Sequence, residues 1–194
     1  AQGGVDMSAA AHDWQLTATA HAFHLTLASL PQPLPGFDWH VLARGDTRHT
    51  VIEQLAINGF GGSLHLQGDY QHGAPHTWRA TLTAQHLNPG VLFPVYAGDI
   101  GFKAALSGRQ GTSPRCSLIL KSLQGTLRTA PISASGSVQC IPGKWVFKDV
   151  EAQIAKNHIQ FDGHLGRKAR FDWNISAPEL DTLWPELSGT LDSR

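Results

Sequence analysis

Trp78-Arg79-Ala80-Thr81-Leu82-Thr83-Ala84 carries an apolar side chain at every second position, and so does Leu64-His65-Leu66-Gln67-Gly68-Asp69-Tyr70 just before it. A period of two sends successive side chains to opposite faces of an extended chain, so these are strands with one apolar face and one wet face. The pattern spreads in both directions. Toward the N-terminus it runs through Trp14, Leu16, Ala18 and Ala20, then Trp39, Val41 and Ala43, then Val51, Leu55 and Ile57. Toward the C-terminus it continues in Phe102, Ala104 and Leu106, in Leu118 and Leu120, and in Ile132, Ala134 and Val138. The last runs are Trp145 with Phe147, Ile159 with Phe161, and Trp173 with Ile175. Gly59, Gly61-Gly62, Gly73, Gly111, Pro142-Gly143 and Gly166 separate these runs as turns. Helical periodicity is nearly absent, with short helical turns expected only near Asn88–Tyr96 and Glu179–Leu187. The fold class is all-β and antiparallel.

Composition fits that reading. Charged residues make up 15% of the 194, well under the usual quarter, and glycine and proline take their place (20 and 11). Fifteen basic and fifteen acidic residues cancel, so no basic stripe exists for a phosphate backbone and nucleic acid is not an expected partner. No apolar run is long enough to span a bilayer, and no signal peptide is recognisable. The chain opens on Ala-Gln-Gly-Gly and reads as an excised segment.

A repeat is visible. Leu64-His-Leu-Gln-Gly68 resembles Ile159-Gln-Phe-Asp-Gly163, and a Trp-bearing strand follows each, Trp78 to Ala84 or Phe171 to Ala177. Each then enters Leu92-Phe-Pro-Val-Tyr-Ala-Gly98 or Leu183-Trp-Pro-Glu-Leu-Ser-Gly189, after which a new strand begins at Ile100 or Leu191. The copies lie about 92 residues apart, a spacing that suits stacked sheet modules better than one closed barrel. The chain is expected to be one continuous segment, 1–194, with partial repeats near 60–109 and 155–194, cut from a larger protein.

Asp38-Trp-His-Val-Leu-Ala-Arg-Gly45, Gly61-Gly-Ser-Leu-His-Leu-Gln-Gly68 and Leu87-Asn-Pro-Gly90 resemble the C-terminal part of the TamB family, as do Leu123-Gln-Gly-Thr-Leu127 and Leu183-Trp-Pro-Glu-Leu-Ser-Gly189. That family falls within the AsmA-like repeating β-groove proteins. The resemblance implies a curved antiparallel sheet forming an open trough, the β-taco, with an apolar concave face. It implies a periplasmic segment of a protein anchored in the inner membrane of a Gram-negative cell. It also implies partners: phospholipid, an outer-membrane Omp85-type barrel (TamA-like), and outer-membrane protein substrates.

On this reading the groove lining that meets lipid is Leu16, Val41, Leu64, Leu66, Trp78, Leu82, Phe102, Leu106, Leu118, Leu120, Ile132, Val138, Ile159, Phe161, Trp173 and Ile175. The expected function is conduction of phospholipid along a hydrophobic groove between the inner and outer membranes. A second reading is a chaperone that takes outer-membrane β-barrel or autotransporter proteins by strand addition. A third is a carbohydrate-binding β-sandwich, because one-sided alternation is also what a sandwich core requires, with Trp14, Trp78 and Trp173 filling space.

Two cysteines are too few for a disulfide framework and too far apart for a zinc site. If the chain folds back near Ala130-Pro131, Cys116 and Cys140 face each other across a hairpin on the same side, either as a disulfide or as two small buried thiols. Of the eleven histidines, His21 and His24 point to opposite faces of a strand, and only His72 and His76 have workable local spacing. No His-Glu-x-x-His, Gly-x-Ser-x-Gly or phosphate-binding glycine loop is present, and the pair Asp162 and Asp172 lacks any supporting motif. No enzyme activity, catalytic residue, metal or cofactor is expected. The steps Asp13-Trp14, Asp38-Trp39 and Asp172-Trp173 read as strand starts, acid at the turn and indole inward.

Overall fold

Short turns bring most strands back beside the one before them, and the described residues form little else. The computed structural model describes residues 2–10, 13–23, 36–183 and 189–193. Thirteen strands follow one another: β1 (Gln2–Ala10), β2 (Asp13–Phe23), β3 (Phe37–Gly45), β4 (His49–Gly59), β5 (Gly62–Gln71), β6 (Thr77–Leu87), β7 (Gly98–Arg109), β8 (Arg115–Leu127), β9 (Ala130–Ile141), β10 (Lys144–Ile154), β11 (Asn157–Leu165), β12 (Arg170–Ala177) and β13 (Leu191–Ser193). All thirteen lie in one antiparallel sheet in chain order. Two 3₁₀ turns, Pro89–Val91 and Pro94–Tyr96, and one helical turn, α1 (Leu180–Leu183), occupy the positions where helical turns were expected. Residues 184–187 of the second expected turn lie outside the described part.

The turns use the chemistry the sequence offers. Phe60 and Gly61 both have positive φ (56° and 80°), the two-residue geometry whose twist matches the flanking strands. The fold-back between β8 and β9 falls at Arg128-Thr129, two residues before the Ala130-Pro131 expected from the sequence.

A sheet this long keeps a single apolar face only if irregularities preserve the parity of each strand. Three bulges have a common construction. Ala22, His86 and Asp149 adopt positive φ (50°, 55° and 50°) where the register shifts, and each lies beside an aspartate of a neighbouring strand. Asp38 accepts from the Ala22 amide (2.9 Å), Asp162 accepts from the Asp149 amide (2.8 Å), and Asp99 pairs with His86 Nδ1 (2.9 Å). A left-handed residue costs roughly 1–2 kcal/mol; the carboxylate bond offsets part of that. The extra residue bends the strand and returns the apolar side chains to their face.

Two strand expectations need correction. Val51 pairs with Arg44 and Asp69 on the polar face, while Ile52 takes the apolar position beside Ala43 and Gly68. A bulge at Glu53-Gln54 breaks the simple count from Val51 to Leu55. Strand β1 was missed altogether, because Gly3, Gly4, Ser8 and Ala9 carry too little hydrophobic contrast to show a period. Asp38 and Asp172 also sit inside β3 and β12 rather than at turns.

Among the described residues no second layer packs on the sheet. The chain exposes 12658 Å², against about 9,000 Å² for a compact chain of its mass. The buried apolar residues are all alanines, Ala18, Ala20, Ala43, Ala56, Ala84, Ala104 and Ala177. Every larger apolar side chain among the described residues is half-buried or exposed, with Leu118 at 40% and Trp173 at 55%.

Candidate functional site

Directly opposed residues in an antiparallel sheet share a face, so the register assigns every side chain. One row runs Met7, Leu16, Ala43, Ile52, Gly68, Ala80, Leu106, Leu118, Val138, Phe147, Gly163, Phe171, across twelve strands without a break. The next runs Val5, Ala18, Val41, Leu55, Leu66, Leu82, Ala104, Leu120. A third runs Ala20, Trp39, Ile57, Leu64, Ala84, Phe102, Leu123, Ala134, Ala152, Ile159, Ile175. On one margin stand Trp14, Gly45, Thr50, Tyr70, Trp78, Gly108, Cys116, Cys140, Trp145 and Leu165. On the other stand Leu87, Ile100, Gly125, Ile132, Ile154 and Asn157. No Asp, Glu, Lys or Arg occupies a paired position of this face among the described residues.

All sixteen residues singled out from the sequence fall on it. Leu16, Leu106, Leu118 and Val138 are in the first row, and Val41, Leu66, Leu82 and Leu120 are in the second. Leu64, Phe102, Ile159 and Ile175 are in the third, Trp78 and Ile132 stand on the two margins, and Phe161 pairs with Trp173 between rows. Gln67 and Gln160 face the other way, opposite Thr81 and Asn174. Sequence reasoning missed Val5 and Met7, which are 74% and 71% exposed, and did not place Phe147 and Phe171 in the lining, although they form a ring cluster with Phe161, centroids 5.8 to 6.4 Å apart. Phe171 was within reach of the same alternation rule that found Trp173.

With strands about 4.8 Å apart, twelve intervals give an apolar ribbon roughly 58 Å long. One hollow in it, of about 350 Å³, lies over Ile52, Leu66, Tyr70, Trp78, Leu82 and Leu106. A larger hollow of about 670 Å³ lies on the polar face over His49, Glu53, Gln67 and Arg79, where an apolar ligand would gain little.

Ion pairs gather on the polar face and at the turns. Arg79 Nε bonds Asp69 (2.6 Å), Arg44 bonds Glu53, and Lys156 Nζ bonds Glu179 (2.6 Å). The Asp99 carboxylate holds the His86 imidazole above its usual pKa, and Glu179 does the same for the Lys156 ammonium. Amides of Arg48 and His49 donate to Asp46 and pull its carboxyl down. These are exposed ion pairs, and open hollows adjoin two of them, the one over Glu53 and Arg79 and another of about 560 Å³ lined by His86 and Asp99.

Cys116 and Cys140 are directly opposite in β8 and β9, with Cα atoms 4.9 Å apart and sulfurs within bonding distance. His72 Nε2 lies 2.8 Å from Thr50 Oγ1, and the Tyr70 ring sits between His72 and His76. His76 Nδ1 is buried without a partner. Among the described residues no three His, Cys, Asp or Glu side chains are grouped to hold a metal, and His24 lies outside them.

A single open antiparallel sheet with one continuous uncharged face among the described residues is the architecture of a β-groove protein. Residues 6–194 match the model of the TamB N-terminal domain, and the chain belongs to that family. It is 23% identical over 165 residues to the translocation and assembly module subunit TamB of Haemophilus influenzae, an alignment covering 83% of this chain and 13% of that protein. The chain therefore spans a small part of that relative's length. No solved structure matches. The sequence motifs had suggested the C-terminal part of the family, whereas the matching model is that of the N-terminal domain. Glycine-punctuated alternation recurs with each structural unit and so does not mark position along such a protein.

Proposed function

We propose that this chain is a non-catalytic length of an envelope protein of the translocation and assembly module in a Gram-negative cell. Its apolar face carries the acyl chains of phospholipids through the periplasm between the inner and outer membranes. One observation supports this above all: an uncharged apolar surface runs unbroken across twelve strands, and no second layer covers it among the described residues. A sixteen-carbon chain in water costs on the order of 12 kcal/mol at about 0.8 kcal/mol per methylene. Rows of Leu, Ile, Val, Ala and Phe remove most of that cost along their length. They also offer no specific hydrogen bond that would stop a chain from sliding. An anchored parent protein and an outer-membrane barrel partner belong to this proposal. Among the described residues no helix is long and apolar enough to cross a membrane.

Photocrosslinking in cells tests it, with the probe at Leu66, Leu120 and Phe161 and controls at Gln67 and Gln160. Phospholipid adducts at the first three alone are expected. Adducts to nascent outer-membrane proteins would replace this reading with strand addition at the sheet edge. Silence at all five positions would mean that another layer covers the face.

A further inference from the structure

In a meander sheet alternate turns lie along the same rim, so the turns sort into two sets. One rim carries the turns β3–β4, β5–β6, β7–β8, β9–β10 and β11–β12; the other carries β4–β5, β6–β7, β8–β9 and β10–β11, together with α1. The two rims differ in chemistry. The first has Arg48 with Asp46 in one turn, Arg109 and Arg115 flanking another, then Lys144, then Arg167, Lys168 and Arg170, the last 3.9 Å from Asp172. Arg109 and Arg115 are directly opposed across β7 and β8, and neither has a carboxylate within ion-pair distance among the described residues. Like charges held opposite each other cost stability unless an anion sits between them. The second rim keeps Arg128 and Lys156, and both are engaged, Arg128 Nη1 near the carbonyls of Asp181 and Thr182 (3.5 Å) and Lys156 with Glu179. That rim also carries Asp99, paired with His86, and in the same β6–β7 connection Phe93 and Val95 are more than half exposed.

The basic rim is also where amphipathic aromatic residues line the apolar face. Trp14 lies across Gly45, and Trp78 lies across Gly108, where a Cβ would come within 2.8 Å and 2.4 Å of the respective indoles. Tyr70 and Trp145 complete the margin, with the Thr50–His72 pair beside it. Tyr and Trp favour a boundary where one side is apolar and the other wet.

We infer that the rim bearing Arg109 and Arg115 is the headgroup rim: it receives the phosphate of a phospholipid whose acyl chains lie across the apolar rows toward the opposite rim, whose basic groups are already engaged. This rests on the lipid reading above and adds to it an orientation and a phosphate site. Arginine suits the role because its planar donors match phosphate oxygens. Both arginines leave from the polar side of the strand ends, where with Asp69 and Arg79 they line a hollow of about 520 Å³; a stem of this length lets the charged head turn to the adjoining rim and stay in water.

Two phosphatidylglycerol probes test this on the whole chain, one with a diazirine on the headgroup and one with it at the acyl terminus. The headgroup probe is expected to label 72–76, 109–115 and 142–145, and the acyl probe to label Leu66, Leu82 and Leu120. Headgroup labelling at 89–97 or 128–130 would overturn the orientation and leave lipid binding intact. No labelling of the apolar face by either probe would overturn the lipid reading itself. In the variant Arg109→Gln/Arg115→Gln, phosphatidylglycerol binding is expected to fall about tenfold, the loss of one charge-assisted contact. Diacylglycerol binding, which lacks phosphate, should be unchanged. Equal losses for both lipids, or no loss for either, would refute the phosphate site, and detergent-free vesicles bound without chain labelling would assign the rim to membrane docking instead.

Discussion

Leu82 stands near the middle of the second apolar row, between Leu66 on β5 and Ala104 on β7. In a two-layer protein Leu→Ala at such a position costs about 2–5 kcal/mol, because a cavity remains beneath the opposing layer. Here no layer opposes it. Leu82 is half-buried by its neighbours in the same sheet, so about half of a full burial term of about 1.5–3 kcal/mol is at stake and no cavity closes. Leu82→Ala should therefore cost roughly 1 kcal/mol. Leu82→Asp should leave the sheet folded, since the carboxylate stays in contact with water, yet abolish acyl crosslinking at Leu66 and Leu120. Urea unfolding followed by tryptophan fluorescence gives the first number, and the same crosslinking assay gives the second. A loss of 3 kcal/mol or more for Leu82→Ala would refute the reasoning, because it would mean that the face is packed against a second layer in solution.

Three further outcomes follow from the geometry. Gly108→Val drives a side chain into the Trp78 indole; overpacking of this kind costs about 1–3 kcal/mol, and a shift in tryptophan emission should accompany the loss. Asn157 is 1% exposed, with Oδ1 accepting from the Glu179 amide and Nδ2 donating to the Glu179 carbonyl and to Thr182. Asn157→Ala should cost about 1–3 kcal/mol and expose α1 to hydrogen exchange first, whereas unchanged protection there would show that the helical turn is held by other means. His86 has a folded pKa raised by Asp99, so its bond to Asp99 contributes below the unfolded histidine pKa and is lost as pH rises through the folded value. A histidine-resolved NMR titration should show the His86 midpoint drop in Asp99→Asn, and an unmoved midpoint would remove Asp99 as the cause.

Cys116 and Cys140 join residues 24 apart in sequence. In an oxidising compartment a bond between them would stabilise the fold by about 3 kcal/mol through the closed loop. A thiol assay on the unfolded, unreduced protein decides it. No reactive thiol supports the bond, and two reactive thiols return the pair to small apolar fillers of the aromatic margin.

Alternation by itself determined which residues share a face, because side-chain direction in a strand depends only on parity. That is why all sixteen candidates, from Leu16 to Ile175, lie on one surface, and why Cys116 could be matched to Cys140. Parity fails where a bulge inserts a residue, so Val51 was placed on the wrong face, and it is silent where side chains are small, so β1 was not seen. Whether the apolar face meets a second sheet or nothing at all was beyond the sequence, since a sandwich core and an open groove demand the same period. Only the order of the strands, thirteen neighbours in one sheet, decided that. The two rims show the same division. Arg48, Arg109, Arg115 and Lys144 lie in turns or at the strand ends beside them, scattered over about a hundred positions of the sequence. They become one charged edge because every second turn of a meander returns to the same side.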